Sequence, residues 1–400
     1  MIEEKFSCKK NNLTIRGLLF RPQDSDSSKK YPLAIVSHGF MSQYTDTQEY
    51  AKNFTKMGFV SIAFDFNGGS PKSQSDGDTK EMSLLTEKED LKCVIQAAKQ
   101  LPYINTDDIT LIGCSMGGFV SALVANELQD QIKRLIVFYP AFCIPDDARS
   151  GKMISAIFNP KDIPQTLKIQ DMEIGQKYVT DVINLDAFNE IKNYRGDVLI
   201  IHGRGDELVN WHYSEKAYKA YLETRENTPS KNLQLVLIDK ANHGFWGPQS
   251  NEWNKYAFFA IQKFIEGKEL LLNVDVNICD CKKSQEDNKF VTKLYFNGKV
   301  ESPYFEGQII EPAYDKQIHS GDELISACAK YQVKGKDFTG EEVTFEIQNE
   351  LLGSGNNTDW NLDWKPSIKT DSKALKDFNH KKCQTYAEMR QQGPMVHIWG

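Results

Sequence analysis

Long hydrophobic runs are missing from this chain of 400 residues, and no stretch is apolar enough to span a bilayer. The first residues, Met1-Ile2-Glu3-Glu4-Lys5, are polar and do not resemble a secretory signal. A basic excess is also missing, because 48 Lys and Arg stand against 55 Asp and Glu, for a formal charge of −7. We therefore expect a cytoplasmic protein that binds neither membranes nor nucleic acid.

Cysteines and metal-binding motifs are scarce as well. The eight cysteines are scattered, and without a secretory signal we expect reduced thiols. Cys279-Asp280-Cys281 could form half of a metal site, but no Cys or His follows it at zinc-finger spacing. Neither an H-E-x-x-H motif nor a G-x-x-x-x-G-K-[ST] loop is present. We expect no metal and no cofactor.

The length and the patterning predict two domains, residues 1–270 and 275–400. In the first, short apolar runs predict strands that are buried on both faces of a sheet, and amphipathic patterns between them predict helices. This alternation predicts an α/β fold with a doubly wound, mostly parallel sheet. The predicted strands are Leu33–Ser37, Val60–Phe64, Ile109–Gly113, Arg134–Tyr139, Val198–Ile201 and Leu233–Ile238, and the predicted helices are Leu84–Leu101, Gly117–Leu128, His212–Leu222 and Glu252–Ile265.

Two regions depart from this alternation. From about residue 141 to residue 195 no strand–helix unit is recognisable. We interpret this segment as a cap inserted over the carboxyl edge of the sheet; an ordinary helical excursion is the alternative. Residues 275–400 alternate apolar and polar positions between turn residues, which predicts an antiparallel β-barrel-like domain. Its predicted strands include Phe290–Phe296, Tyr304–Ile310, Leu324–Val333 and Glu342–Gln348.

The strongest motif is Gly113-Cys114-Ser115-Met116-Gly117, a G-x-S-x-G pattern between a predicted strand and a predicted helix. A nucleophile at such a turn needs a strained backbone, and side chains at the flanking positions would collide with the strand and the helix. The start of the helix also favours developing negative charge. We predict Ser115 as a nucleophile; a structural serine in a glycine-rich turn is the alternative.

Two further motifs follow predicted strands at the same edge of the sheet. His202-Gly203-Arg204-Gly205-Asp206-Glu207 comes after one strand, and Ala241-Asn242-His243-Gly244 comes after the next. Ser115, Asp206 and His243 have the chain order of a serine hydrolase triad on this type of fold. We choose Asp206 as the acid, with Glu207 as the competitor.

A loop after the first predicted strand, His38-Gly39-Phe40-Met41, is the candidate for completing an oxyanion hole. A tetrahedral intermediate needs two N–H donors, one from the residue after the nucleophile and one from such an early loop. We predict the backbone N–H groups of Met116 and Phe40, and we assign His38 to orienting the loop.

Residues 12–268 resemble the bacterial cinnamoyl (feruloyl) esterases of the α/β-hydrolase superfamily. The resemblance implies the triad and oxyanion residues named above, hydrolysis of hydroxycinnamate esters, and a cap that shapes the acyl pocket. This sequence departs from the family at Gly68-Gly69-Ser70, where a Gly-His-Gly turn is usual, and at Cys114, where His is common. The matching features are His38-Gly39-Phe40, Phe64-Asp65-Phe66-Asn67-Gly68, Gly113–Gly118, Asn159-Pro160, Ile163-Pro164, His202-Gly203, Asp206 and His243.

The C-terminal part resembles a family of small β-barrel proteins of unknown function, through Tyr304–Ile310 and Ala327–Val333. For the whole chain we expect a serine esterase acting on a small-molecule ester, with Phe158 and Tyr178 of the cap stacking on a planar acyl group. An acyltransferase or thioesterase with the same triad, and a non-catalytic ligand-binding protein, are the alternatives. The sequence leaves open whether the protein forms a homo-oligomer and what the C-terminal domain does.

Overall fold

The structure is a computed structural model that describes residues 1–23, 29–286, 289–321, 323–352 and 364–400. Internal contacts divide the chain into two units, Met1–Gln262 and Lys263–Gly400. Within the described ranges, none of the helices combines the length and the apolar character that crossing a membrane requires.

The first unit is built around an eight-stranded sheet. Its strands, with those of the inserted segment, are β1 (Ile2–Lys10), β2 (Leu13–Arg21), β3 (Tyr31–Ser37), β4 (Val60–Phe64), β5 (Ile104–Cys114), β6 (Arg134–Phe138), β7 (Lys152–Met153), β8 (Ala156–Ile157), β9 (Thr166–Ile169), β10 (Met172–Gly175), β11 (Asp197–Gly203) and β12 (Leu233–Ile238). Its helices are α1 (Tyr44–Lys56), α2 (Leu84–Lys99), α3 (Met116–Glu127), α4 (Ile144–Ser150), α5 (Lys177–Thr180), α6 (Ala187–Ile191), α7 (His212–Glu223) and α8 (Ser250–Ile265).

The strand order of this sheet is β1-β2-β4-β3-β5-β6-β11-β12. The strands from β4 to β12 pair in parallel, whereas β1 and β2 form an antiparallel hairpin at one edge. Every residue of β4 and β6 is buried, as expected for strands covered by helices on both faces. This is the α/β-hydrolase fold, and the predicted fold class is confirmed.

The segment between β6 and β11 is an insertion at the carboxyl edge of the sheet. It contains the two-stranded sheets β7–β8 and β9–β10 and the short helices α4, α5 and α6. None of these helices exceeds seven residues, so the segment is a cap rather than a helical crossover.

The second unit is a nine-stranded antiparallel sheet. Its strands are β13 (Leu270–Glu286), β14 (Lys289–Glu301), β15 (Phe305–Ile310), β16 (Ala313–Ser320), β17 (Glu323–Asp337), β18 (Glu342–Leu352), β19 (Trp364–Thr370), β20 (Gln384–Glu388) and β21 (Met395–Trp399). Strands β15 and β16 each pair with both β14 and β17, and β21 of the last hairpin pairs with β13. The edge strands β19 and β20 contact each other, which makes the sheet barrel-like.

Candidate active site

Ser115 lies at the sharp turn between β5 and α3. Its backbone has φ 53° and ψ −121°, outside the regions that non-glycine residues normally occupy. The flanking glycines have no room for side chains, because a Cβ on Gly113 would lie 2.2 Å from the Gly117 carbonyl oxygen, and one on Gly117 would lie 2.2 Å from the His38 carbonyl oxygen. The strained turn therefore depends on both glycines, as the motif predicts.

The structure brings Ser115, His243 and Asp206 into one hydrogen-bonded chain. The Oγ of Ser115 is 3.1 Å from Nε2 of His243, and Nδ1 of His243 is 2.8 Å from Oδ2 of Asp206. The three side chains come from loops after β5, β12 and β11, which end at the same edge of the sheet. This geometry allows His243 to take the serine proton while the carboxylate fixes the imidazole.

Asp206 is a buried carboxylate surrounded by donors. Its Oδ1 accepts the backbone N–H groups of Leu208 and Val209 at 2.9 and 2.8 Å, and its Oδ2 lies 3.0 Å from Nε2 of His202. Burial by itself would raise the pKa of Asp206, but the hydrogen bonds to His202 and His243 outweigh it and place that pKa well below its usual range. The competitor, Glu207, is exposed.

The backbone N–H groups of Phe40 and Met116 are the predicted oxyanion donors. Met116 is the first residue of α3, where N–H groups have no intrahelical partner. In the described part of the chain, neither N–H donates to another protein group. Both remain predictions as oxyanion donors.

His38 supports the Phe40 loop from inside the protein. Its Nδ1 is 2.8 Å from the Gly39 carbonyl oxygen, and its Nε2 accepts the Phe66 N–H at 3.2 Å. Burial lowers the pKa of His38, so a neutral ring with its proton on Nδ1 fits both contacts. This agrees with a role in orienting the loop.

An open cleft of about 1150 Å³ contains Ser115 and His243. Tyr139 lies beside the histidine, with its ring centroid 4.8 Å from that of His243. The largely exposed side chains of Trp246 (65%) and Leu208 (53%) also line the cleft. The surface beside the nucleophile is therefore apolar and accessible, which suits an apolar or aromatic substrate group.

The two residues predicted to stack on the substrate lie elsewhere. Among the described residues, the cap contributes Ile154 and Gln170 to the cleft, and neither Phe158 nor Tyr178 lines it. Tyr178 is buried (3% exposed): its hydroxyl is 3.3 Å from Sδ of Met116, and its ring is 5.3 Å from that of Phe40. Tyr178 therefore packs against Phe40 and Met116, and Phe158 is half-buried against the core. Both aromatic side chains contribute to hydrophobic packing and do not line the cleft.

Sequence reasoning did not find the roles of His202, Tyr139 and Trp246. His202 was noticed as the start of the His202-Gly203 motif at the end of an apolar strand, but this signal gave no indication of its contact with Asp206. No local pattern marks Tyr139 or Trp246, because their positions depend on how separate loops meet. In the ranges that the structure describes, no cluster of three His, Cys, Asp or Glu residues could hold a metal ion.

Comparison with known proteins finds similarity over parts of the chain. A family model described as serine aminopeptidase, S33, matches residues 29–182, which include Ser115 but not Asp206 or His243. The "Uncharacterized 31.7 kDa protein in traX-finO intergenic region" of Escherichia coli is 33% identical over 125 residues, covering 31% of this chain and 42% of that protein. Mouse prolyl endopeptidase FAP is 24% identical over 242 residues, covering 59% of this chain and 29% of that protein.

Among solved structures, Est1E from Butyrivibrio proteoclasticus with bound ferulic acid superposes with a TM-score of 0.58 at 25% identity. The match covers 65% of this chain and 99% of Est1E. The curated relatives are matched over less of their length: the chain spans about two fifths of the Escherichia coli protein, with 42% covered.

Proposed function

We propose that this chain is a serine hydrolase that cleaves carboxylic esters and that hydroxycinnamate esters are its substrates. The observation that carries the proposal is the hydrogen-bonded arrangement of Ser115, His243 and Asp206 at a strained strand–helix turn. Three separate loops have to converge for this arrangement, which a structural serine does not require.

In the proposed reaction, Ser115 Oγ attacks the ester carbonyl while His243 Nε2 takes its proton. The carbonyl oxygen becomes an oxyanion between the N–H groups of Phe40 and Met116. The ester C–O bond then breaks, and His243 gives its proton to the departing alcohol. A water molecule, deprotonated by His243, releases the acid and regenerates Ser115.

The hydroxycinnamate assignment rests on two observations. Est1E, which matches 65% of the chain, has ferulic acid bound in its structure. The cleft beside Ser115 is lined by the exposed apolar side chains Trp246, Leu208 and Ile154, which could contact a planar aromatic ring. The sequence differs from the cinnamoyl esterases at Gly69 and Cys114, but neither difference removes a group of the triad.

The test is hydrolysis of methyl ferulate, methyl p-coumarate and p-nitrophenyl esters from acetate to octanoate, with Ser115→Ala as the control. We expect hydroxycinnamates to have the highest kcat/KM, and we expect Ser115→Ala to lose about 10⁶-fold in kcat. If only aliphatic esters are hydrolysed, the substrate assignment is wrong and the triad stands. If Ser115→Ala keeps most of the turnover, the triad is wrong.

An acyltransferase or thioesterase would use the same groups, because the acyl-enzyme can be attacked by an alcohol, a thiol or water. Product analysis with added alcohols and with thioester substrates separates these outcomes. A folded wild-type protein that a fluorophosphonate does not label would instead favour a non-catalytic binding protein.

A further inference from the structure

We propose that His202 is a positioning residue for ester hydrolysis, holding the Asp206 carboxylate from the side away from His243. The inference rests on the proposed function, because it concerns the acid of the proposed triad. His202 lies at the end of β11, is fully buried and is not part of the cleft lining in the described residues. It therefore acts through Asp206 and does not contact the substrate.

Two histidines share one oxygen of Asp206. Oδ2 lies 2.8 Å from Nδ1 of His243 and 3.0 Å from Nε2 of His202. On the other side of the His202 ring, Nδ1 lies 2.6 Å from Oγ of Ser214, a buried residue in the first turn of α7. The hydrogen-bonded chain therefore runs Ser115–His243–Asp206–His202–Ser214, with one arm in the cleft and one arm in the core.

The surroundings of His202 decide where its proton lies. Nε2 faces two acceptors, Oδ2 of Asp206 at 3.0 Å and the carbonyl oxygen of Val209 at 3.1 Å, so this nitrogen carries the hydrogen. Nδ1 is then the acceptor for the Ser214 hydroxyl. In this tautomer His202 donates from Nε2 to the carboxylate, and the Ser214 hydroxyl at Nδ1 selects the tautomer.

The consequence is a carboxylate whose direction and charge are both fixed. Leu208 and Val209 hold Oδ1, while the two histidines hold Oδ2. A second donor on Oδ2 spreads the negative charge, so the attraction of Asp206 for the proton on His243 is weaker than it would be with one donor. Without His202 the Asp206 carboxylate is freer to rotate and attracts the proton on His243 more strongly. The general base, His243, therefore loses that proton less readily at low pH.

Four proteins test this: the wild type, His202→Leu, His202→Gln and Ser214→Ala. Leucine removes the donor, whereas the glutamine amide can place an N–H near the position of Nε2. Ser214→Ala leaves His202 in place but removes the group that selects its tautomer. Turnover of p-nitrophenyl acetate is measured from acidic to neutral pH, per active site titrated with a fluorophosphonate, so that misfolded protein does not count.

We expect His202→Leu to lower kcat about 10- to 100-fold with little change in KM. We also expect the acidic limb of its pH profile of kcat/KM to lie at higher pH than in the wild type. His202→Gln should recover most of kcat and return the limb towards its wild-type position, and Ser214→Ala should show a smaller change in the same direction as leucine. A His202→Leu enzyme with wild-type kcat per titrated site and an unmoved limb would overturn the proposal, even if it unfolds more easily.

A second measurement does not need turnover. The proton between His243 Nδ1 and Asp206 gives a low-field ¹H resonance, which should move in His202→Leu and return in His202→Gln. An unmoved resonance overturns the positioning role. A wild type that is unlabelled by the fluorophosphonate and hydrolyses no ester refutes the proposed function instead, and the resonance still tests His202.

Discussion

Asp206 and Glu87 are both carboxylates buried in the first unit, but hydrogen-bond donors surround only Asp206. Asp206 is 8% exposed and accepts from the backbone of its own loop and from two histidines. Glu87 is 0% exposed, and no group in the described residues donates to either of its oxygens. The same functional group therefore occupies two opposite electrostatic environments in one unit.

The donors near Glu87 are taken by its neighbour Asp90. Asp90 pairs with Lys10 and accepts the backbone and side-chain N–H groups of Asn67 at 2.8 and 3.0 Å. Burial raises the pKa of Glu87 well above its usual range, and the negative charge of Asp90 raises it further. These surroundings favour the protonated form of Glu87, whereas the donors around Asp206 favour its ionised form.

Burial and hydrogen bonding have opposite effects on the pKa of a carboxyl group, and the two acids show these effects separately. Burial pushes the pKa of both carboxyls upward, and only the donors around Asp206 reverse the direction. An acid that must stabilise a cationic histidine needs those donors. A neutral acid in the core needs only to stay protonated, and we assign Glu87 no step in the reaction.

The largest expected difference between the two sites is in catalysis. Asp206→Asn should lower kcat about 10⁴-fold, because the amide favours the wrong tautomer of His243. Glu87→Gln replaces a neutral acid with a neutral amide and should change kcat by less than about threefold. Steady-state kinetics per titrated active site measures both.

The two variants are matched, since each exchanges one carboxyl for the corresponding amide. If Glu87→Gln loses as much activity as Asp206→Asn, Glu87 takes part in catalysis, and the predicted difference between the two acids is wrong. Equal thermal unfolding of the two variants would exclude misfolding as the cause of a difference.

The next difference is the pH dependence of stability. Above the unfolded-state pKa of Glu, about 4.3, the unfolded chain releases the Glu87 proton while the folded chain keeps it. Stability from this group is full below that pH and falls as the pH rises towards the folded-state pKa, by up to about 1.4 kcal/mol per pH unit. Glu87→Met removes this dependence on pH, so its stability relative to the wild type should increase as the pH rises above the unfolded-state value towards the raised folded-state pKa.

Asp206 should show the opposite sign, because its folded-state pKa is lowered. Its contribution is full above the unfolded-state value of about 3.9 and is lost as the pH falls through the folded-state pKa. Urea denaturation followed by the loss of esterase activity reports the unit that contains the triad. A Glu87→Met variant whose advantage over the wild type does not grow with pH would contradict the assignment of Glu87 as a neutral acid.

The sequence allowed the convergence of Ser115, Asp206 and His243 to be predicted because the signals of these residues are local. A G-x-S-x-G turn lies between a strand and a helix, and each partner follows a buried strand. Strand β1 and helix α1 were missed because their sequences are mostly polar, and β2 was missed because its continuous apolar run, Leu18-Leu19-Phe20, is only three residues long.

The contrast between the two acids could not be predicted in this way. Glu87 is an acidic residue in the first turn of α2, where the helix dipole alone would explain it. Its isolation depends on Asp90 taking the donors of Lys10 and Asn67, which lie far away along the chain. The second histidine on Asp206 likewise depends on the three-dimensional course of the loop after β11.

The smallest expected effect is at Gly69, which lies close to an oxygen of Glu87. A Cβ at this position would lie 3.2 Å from Glu87 Oε1, 3.0 Å from Phe66 Cβ and 3.3 Å from His38 Cε1. Gly69→Ala and Gly69→Ser share the cost of this crowding, but only serine brings a hydroxyl that can donate to Glu87. We expect the serine variant to be more stable than the alanine variant by about 0.5–1.5 kcal/mol at pH 7.

The same pair of substitutions in a Glu87→Met background completes the comparison, since methionine offers no strong acceptor to the hydroxyl. The advantage of serine over alanine should then disappear, because each substitution still causes the same crowding at Phe66 and His38. If serine keeps its advantage without Glu87, the hydroxyl has found another partner. In that case the absence of a nearby donor is not what distinguishes Glu87 from Asp206.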